Sequence, residues 1–483
     1  MNRHVELRGS AGLAAYFAVG AALSAAAVAP AQTPRPGPPK GRAAMGPLRK
    51  HPDNGRYFAD GSGGAILLVG SHTWNSLVDM GPGDPPPKFD FDAYLDFLER
   101  HGHNFIRLWT WEPVTWDTKS NTGSGRRRHT VRPLPWARTG PGKAHDGKPK
   151  FNLEKFGSEY FRRLRTRVAA ARKRGIYVSV MLFEGWAMQF SPGAWQGHPF
   201  HPSNNVNGLD GDVNGDGKGL EIHELASKAV LGVQEAYVRK VIDTVNDLDN
   251  VLYEISNENH PPSTKWQVHM IDFIHKVEKA RPLQHPVGMT FQYRAGKNKT
   301  LFDSPADWVS PNPEGGYRDD PPPAAGKKVV LSDTDHLWGI GGNRQWVWKS
   351  FLRGHNPIFM DPYDGVVLGR RFDKRWQPIH RAMSQVRALS LRVGLASLVP
   401  KGKLASSGYC LAKAAKKRAE YLVYLPKGGS VTVDVSAAEG ELTAQWFNPQ
   451  SGRLHEAPAV KGGARRRLKA PFQGDAVVHL RGR

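Results

Sequence analysis

Between residues 51 and 396, short apolar runs alternate with longer stretches whose apolar residues recur every three to four positions. The short runs have the length of buried strands and the long ones that of amphipathic helices, so the pattern predicts repeated parallel β/α units. Eight runs qualify as strands: residues 65–70, 105–109, 176–182, 251–255, 286–291, 307–309, 328–332 and 357–360. Between them, residues 91–100 gather Tyr94, Leu95 and Leu98 on one helical face, residues 160–174 gather Leu164, Val168 and Ala171, and residues 236–248 gather Val238, Val241, Ile242 and Val245. Eight such units, with long insertions after the second and third strands, predict an α/β fold of the TIM (β/α)8 barrel type. After Leu398 the period changes to two. Strands are expected at 420–425, 430–435, 441–448 and 476–480, separated by Gly-rich turns, so residues 397–483 read as a small antiparallel β-sandwich.

The beginning of the chain follows another pattern. Residues 1–31 carry Arg3 and Arg8, then an apolar stretch and small residues suited to cleavage, which is the layout of a signal peptide. Residues 32–50 are rich in proline and basic side chains and read as a linker. The barrel is then expected over 51–396, in a chain secreted to the periplasm or the exterior. No later apolar run has the length of a membrane span, so no integral span is expected in the mature chain. The single cysteine, Cys410, allows no intramolecular disulfide and reads as a buried thiol.

The chain carries 67 Lys and Arg against 44 Asp and Glu, a formal charge of +23 over 483 residues. A polyanion is therefore a conceivable partner. The short basic clusters, at 126–128, 162–167, 416–418 and 465–467, join no helix-turn-helix, zinc-finger or RNP pattern, which excludes a recognisable nucleic-acid module.

Chemistry in a TIM barrel sits at the carboxyl ends of the strands. Those tips here carry His72, Trp74, Arg107, Trp109, Trp111, Glu184, Trp186, Asn257, Glu258, Asp333, Asp335, His336 and Trp338. Carboxylates, imidazoles and indoles at one rim serve no purpose in an inert scaffold, because polar groups there must be solvated or paired. Two carboxylates across a cleft are what glycosidic cleavage requires, and Glu258 with Asp333 or Asp335 supplies them. The tryptophans offer flat apolar faces for sugar rings.

Asn104-Phe-Ile-Arg107 at the second strand and Ser256-Asn257-Glu258 at the fourth resemble the clan A glycoside hydrolases. The resemblance implies that Glu258 is the acid/base and that Asn257 holds a substrate hydroxyl. The segments 70–75, 103–112 and 446–452 resemble more narrowly a set of secreted glycosidase-like barrels with a C-terminal module labelled collagen-binding. The resemblance departs at strand seven, where the clan has a Glu nucleophile and this chain has Ser332-Asp333-Thr334-Asp335-His336. Asp333 occupies the matching position and is the first choice. Asp335 shares its parity and is the alternative if the strand continues. The shorter Asp side chain points to a wider carboxylate separation and an inverting reaction. His336 is a candidate for binding sugar.

The run from Asp210 to Glu221 has the calcium-loop spacing D-x-D-x-N-G-x5-E. Asp210, Asp212, Asn214, Glu221 and the carbonyl of Asp216 are the expected ligands of one structural Ca2+; no organic cofactor is expected. The expected activity is thus that of a secreted glycosidase acting on a poly- or oligosaccharide. Two alternatives stand beside it: a catalytically silent carbohydrate-binding barrel, and a matrix-protein-binding protein acting through the C-terminal module. Absence of HExxH and GxSxG motifs argues against proteolysis.

Overall fold

The computed structural model describes residues 43–117, 128–363 and 374–483. The expected signal peptide and most of the expected linker lie outside the described residues. No helix among those described is long and apolar enough to cross a membrane.

Eight parallel strands close a barrel. They are β1 (Gly70–His72), β2 (Phe105–Leu108), β3 (Tyr177–Glu184), β4 (Val251–Asn257), β5 (Val287–Thr290), β6 (Trp308–Ser310), β7 (Val329–Asp333) and β8 (Asn356–Met360). Helices Phe91–Arg100, Ser158–Lys173, Lys228–Val245 and Thr264–Lys279 cover the first four crossovers, each burying its apolar stripe against the strands. Asp90 starts the first of them by accepting a hydrogen bond from the Ala93 N–H at 3.0 Å.

The period of two along the strands sorts the barrel interior into layers. Phe105, Leu252 and Leu331 lie in an apolar floor with Tyr177, Trp308 and Ile358. Two residues further along the same strands come Arg107, Glu254 and Asp333, so the next layer is charged. Gly288 makes room for the floor, because a Cβ there would sit 1.9 Å from the Trp308 ring.

Two expectations are corrected at the start of the barrel. Residues 65–70 do not form the first strand: Ala65–Ile66 instead pairs with Phe58–Ala59 across a Gly-rich turn, in a three-stranded sheet with Arg49–Lys50. The barrel strand begins only at Gly70. Residues 43–50 are accordingly no free linker, since Ala44 and Leu48 are buried in the floor cluster.

Beyond the barrel, a six-stranded antiparallel sheet faces a two-stranded one, Ser430–Asp434 with Arg465–Lys469. Val431, Val433 and Val435 fill the space between, with Tyr421, Val423 and Val478. Cys410 is buried among them, and that burial pushes its thiol up to about 12. The other face of the large sheet packs on helix Arg344–Leu352, where Trp348 stacks on Tyr424 at 5.9 Å and Arg344 pairs with Asp475 at 2.8 Å.

Candidate active site

Arg107 stands at the centre of the charged layer. Its Nε and Nη2 donate to the two Glu254 oxygens at 2.9 and 2.6 Å, and Nη2 also donates to Asn257 Oδ1 at 2.8 Å. Its Nη1 reaches Asp333 at 3.0 Å and Asp335 at 3.3 Å. Burial opposes the charge of this guanidinium, but the Glu254, Asp333 and Asp335 carboxylates outweigh it and hold the proton far above the ordinary range.

The two strand-seven aspartates have different fates. Strand β7 ends at Asp333, and the chain turns at once into the short helix Thr334–Leu337. Asp333 caps that helix, accepting from the Asp335 N–H at 3.0 Å, while His72 Nε2 donates to it at 2.9 Å. Burial would raise the Asp333 carboxyl, but His72 and Arg107 more than cancel that and leave it well below the usual carboxylate range. It is withdrawn from the cavity. Asp335 lines the cavity instead, and burial, with the Asp333 charge beside it, lifts its carboxyl to about 6 against the pull of Arg107. The preference for Asp333 is therefore reversed on geometry. The side-chain length argument for an inverting reaction lapses too, because Asp335 rises from a helical turn beyond the strand tip.

The cavity holds about 720 Å³ at the carboxyl ends of the strands. Glu258 lines it just past β4, with φ at +43°, a left-handed conformation that costs a non-glycine residue about 1 to 3 kcal/mol. Burial raises its carboxyl well above the ordinary value, and the Asp335 and Glu184 charges add to the rise. Glu184 is fully buried and fixed: its two oxygens accept from the Trp186 and Ala187 N–H groups at 2.8 and 3.0 Å. Gly185 permits the close passage of β3 and β4, since a Cβ there would lie 2.4 Å from Asn259.

Among the described residues, Asn257 is held by its side-chain carbonyl oxygen alone. Besides Arg107, His336 Nε2 approaches it at 3.2 Å, while Ser310 Oγ lies 2.7 Å from His336 Nδ1. Burial first, and Arg107 after it, push His336 down to about 3, so the ring is neutral. A ring accepting from Ser310 and donating to Asn257 satisfies both contacts. The Asn257 amide N–H groups are left for a ligand.

Of the expected tryptophans, Trp74, Trp109 and Trp111 reach the cavity wall but are almost wholly buried in one cluster with Trp116, Trp111 stacking on Trp116 at 4.5 Å. Trp186 and Trp338 are only partly buried and offer open ring faces to the cavity. His72 and Arg107 stay behind the wall and hold the carboxylates. The structure adds Glu254, Tyr293, Arg294 and Arg318, which sequence reasoning did not single out. Glu254 had a signal, as a lone charge at an inward position of an apolar strand.

In the insertion after β3, the side-chain oxygens of Asp212, Asp216 and Glu221 lie within 4.8 Å of one another. Asp216 brings its carboxylate, where a carbonyl was expected. Asp210 Oδ1 accepts from the Asp212 N–H at 3.0 Å, and Asn214 donates to Glu221.

Residues 130–294 match a family described as a domain of unknown function (DUF6298), and residues 396–478 one described as "Putative collagen-binding domain of a collagenase". No curated protein matches the chain. Among solved structures, a glycoside hydrolase is similar at 14% identity and TM-score 0.57, over 90% of this chain and 97% of that one. A glycoside hydrolase family 5 protein from Bacteroides vulgatus is similar at 13% identity and TM-score 0.57, over 90% of this chain and 93% of that one. The fold, barrel and C-terminal module together, is the one these glycoside hydrolases share.

Proposed function

We propose that the protein is a secreted glycoside hydrolase that cleaves a poly- or oligosaccharide with Glu258 and Asp335. The observation that carries the reading is the pair itself: two buried carboxylates on one cavity, with Asp335 tied to Arg107 and Glu258 raised and without an ion pair among the described residues. Glu258 holds its proton to higher pH than an ordinary carboxyl and can donate it to the departing glycosidic oxygen. Asp335, ionised above about 6, supplies the opposing negative charge to the sugar carbon, directly or through a water. The free amide of Asn257 suits a sugar hydroxyl, and Trp186 and Trp338 suit its apolar face.

Glu258→Gln tests this. Turnover on a panel of plant and bacterial polysaccharides is expected to fall about 100-fold or more with the melting temperature unchanged, general acid catalysis being worth roughly that factor. Equal turnover in the variant overturns the assignment. Glycan binding with no turnover in either protein favours the silent barrel.

We further propose that the 210–221 loop binds one Ca2+. Burial, and then the charges of Asp216 and Asp212, raise Glu221, and among the described residues Asp212 Oδ1 and Glu221 Oε2 are buried without a hydrogen-bond partner. A divalent cation held by oxygens relieves both.

A further inference from the structure

The cavity has one acidic side and one basic side. Arg294, on the connection after β5, and Arg318, on the connection after β6, both line it. Each guanidinium lies over aromatic rings: Arg294 is 5.6 Å from the Tyr293 ring centre and 5.3 Å from that of Phe190, and Arg318 is 5.6 Å from that of Trp338. Neither makes an ion pair or a hydrogen bond among the described residues.

Several surface arginines find carboxylates, as Arg165 does with Asp247, Arg172 with Asp249 and Arg465 with Asp434; Arg294 and Arg318 face the cavity instead. Nor does either pair with the cavity's own acids among the described residues, where Asp335 has Arg107 as its partner. A guanidinium held over a ring, with no carboxylate partner, has N–H donors free to grip an oxyanion with two parallel bonds. A neutral sugar offers this fork hydroxyl acceptors but no charge to match it, so the stronger pairing is with an oxyanion.

We infer that the substrate is an anionic glycan, and that Arg294 and Arg318 bind its carboxylate or sulfate groups while Tyr293 and Trp338 carry the adjoining sugar faces. The inference rests on the glycosidase reading of the same cavity. The formal charge of +23 works in the same direction, drawing a polyanion toward the protein.

The test compares binding of the intact protein to polygalacturonate and its methyl ester, and to a sulfated galactan and its desulfated form. Three proteins are compared: the wild type, Arg294→Gln/Arg318→Gln, and a charge-matched control, Arg467→Gln/Lys469→Gln, on an exposed strand of the C-terminal module. One anionic polymer is expected to bind at least about tenfold more tightly than its neutral form, and the cavity variant to lose that preference while the control keeps it. Whichever pair shows the preference identifies the group as carboxylate or sulfate. Equal affinity for neutral and charged polymers, or equal losses in both variants, overturns the inference. Hydrolysis of a neutral glycan with no anionic preference leaves the glycosidase standing and sinks this inference alone. A charge preference lost in the cavity variant, with no hydrolysis of any polymer, does the reverse.

Discussion

Replacing each strand-seven aspartate with asparagine should change stability in opposite directions. Asp335 has its carboxyl raised from 3.8 to about 6, which corresponds to about 3 kcal/mol held against ionisation in the folded state. The fold thus binds that proton more tightly than the unfolded chain, and ionisation costs stability above about pH 6 and almost nothing near pH 4. Asp335→Asn removes the cost and keeps an oxygen for Arg107. Its melting temperature at pH 7.5 should rise by a few degrees, the gain shrinking as the pH falls toward 4, while activity is abolished. Asp333 has the opposite linkage. Its lowered carboxyl stabilises the fold at neutral pH, and that contribution is lost only as acid carries the pH below the usual carboxylate range toward its folded value. Asp333→Asn breaks a buried ion pair and should cost about 3 kcal/mol, the low end of the range because Asn retains an acceptor. Thermal melts of both variants across pH 4 to 8 check this. A fall for Asp335→Asn at pH 7.5 together with no change for Asp333→Asn would refute the assignment of roles.

Two further outcomes follow from the same charges. The activity of the wild type should fall below about pH 6 as Asp335 takes up its proton, and fall again on the alkaline side as Glu258 loses its own, well above the ordinary carboxylate value; an optimum near pH 4 contradicts both directions. Chelator should lower the melting temperature and added Ca2+ restore it, by about 2.7 kcal/mol at one hundred times the dissociation constant, and Glu221→Gln should abolish the response; identical melts with and without metal reduce the loop to a turn.

The strand pattern was legible wherever burial on both faces left an apolar run, and even the three-residue β6 could be found. It misled at residues 65–70, where every residue is apolar but the turn at Gly61–Gly64 diverts the first two into a hairpin. The strands Arg453–Lys461 and Arg465–Lys469 escaped notice because one face of each meets water and carries basic side chains. Position after the strand favoured Asp333, and Asp335 stood only by parity, which holds only while a strand lasts. Asp333 before Thr-Asp is itself a helix-capping pattern, and reading it ends the strand at Asp333, before parity can reach Asp335. Arg294 and Arg318 lie on connections without periodicity. Only the closed barrel brings them to the same rim as Glu258.

The buried charges also explain why a lone arginine sits on the barrel axis. Glu254, Asp333 and Asp335 all bear on Arg107, so three carboxylates share one guanidinium. The excess is negative, and it is not spread evenly. Glu254 takes two of the arginine's bonds and Asp333 adds His72, whereas Asp335 receives a single longer contact at 3.3 Å. What Arg107 leaves uncompensated is therefore concentrated on the cavity side, facing Glu258. A carboxyl placed there, out of water and opposite an unquenched negative charge, has protonation as its cheapest state. The general acid we propose is thus made by its surroundings, and replacing Arg107 should disturb the site through Asp335 and Glu258 before it disturbs any contact with substrate.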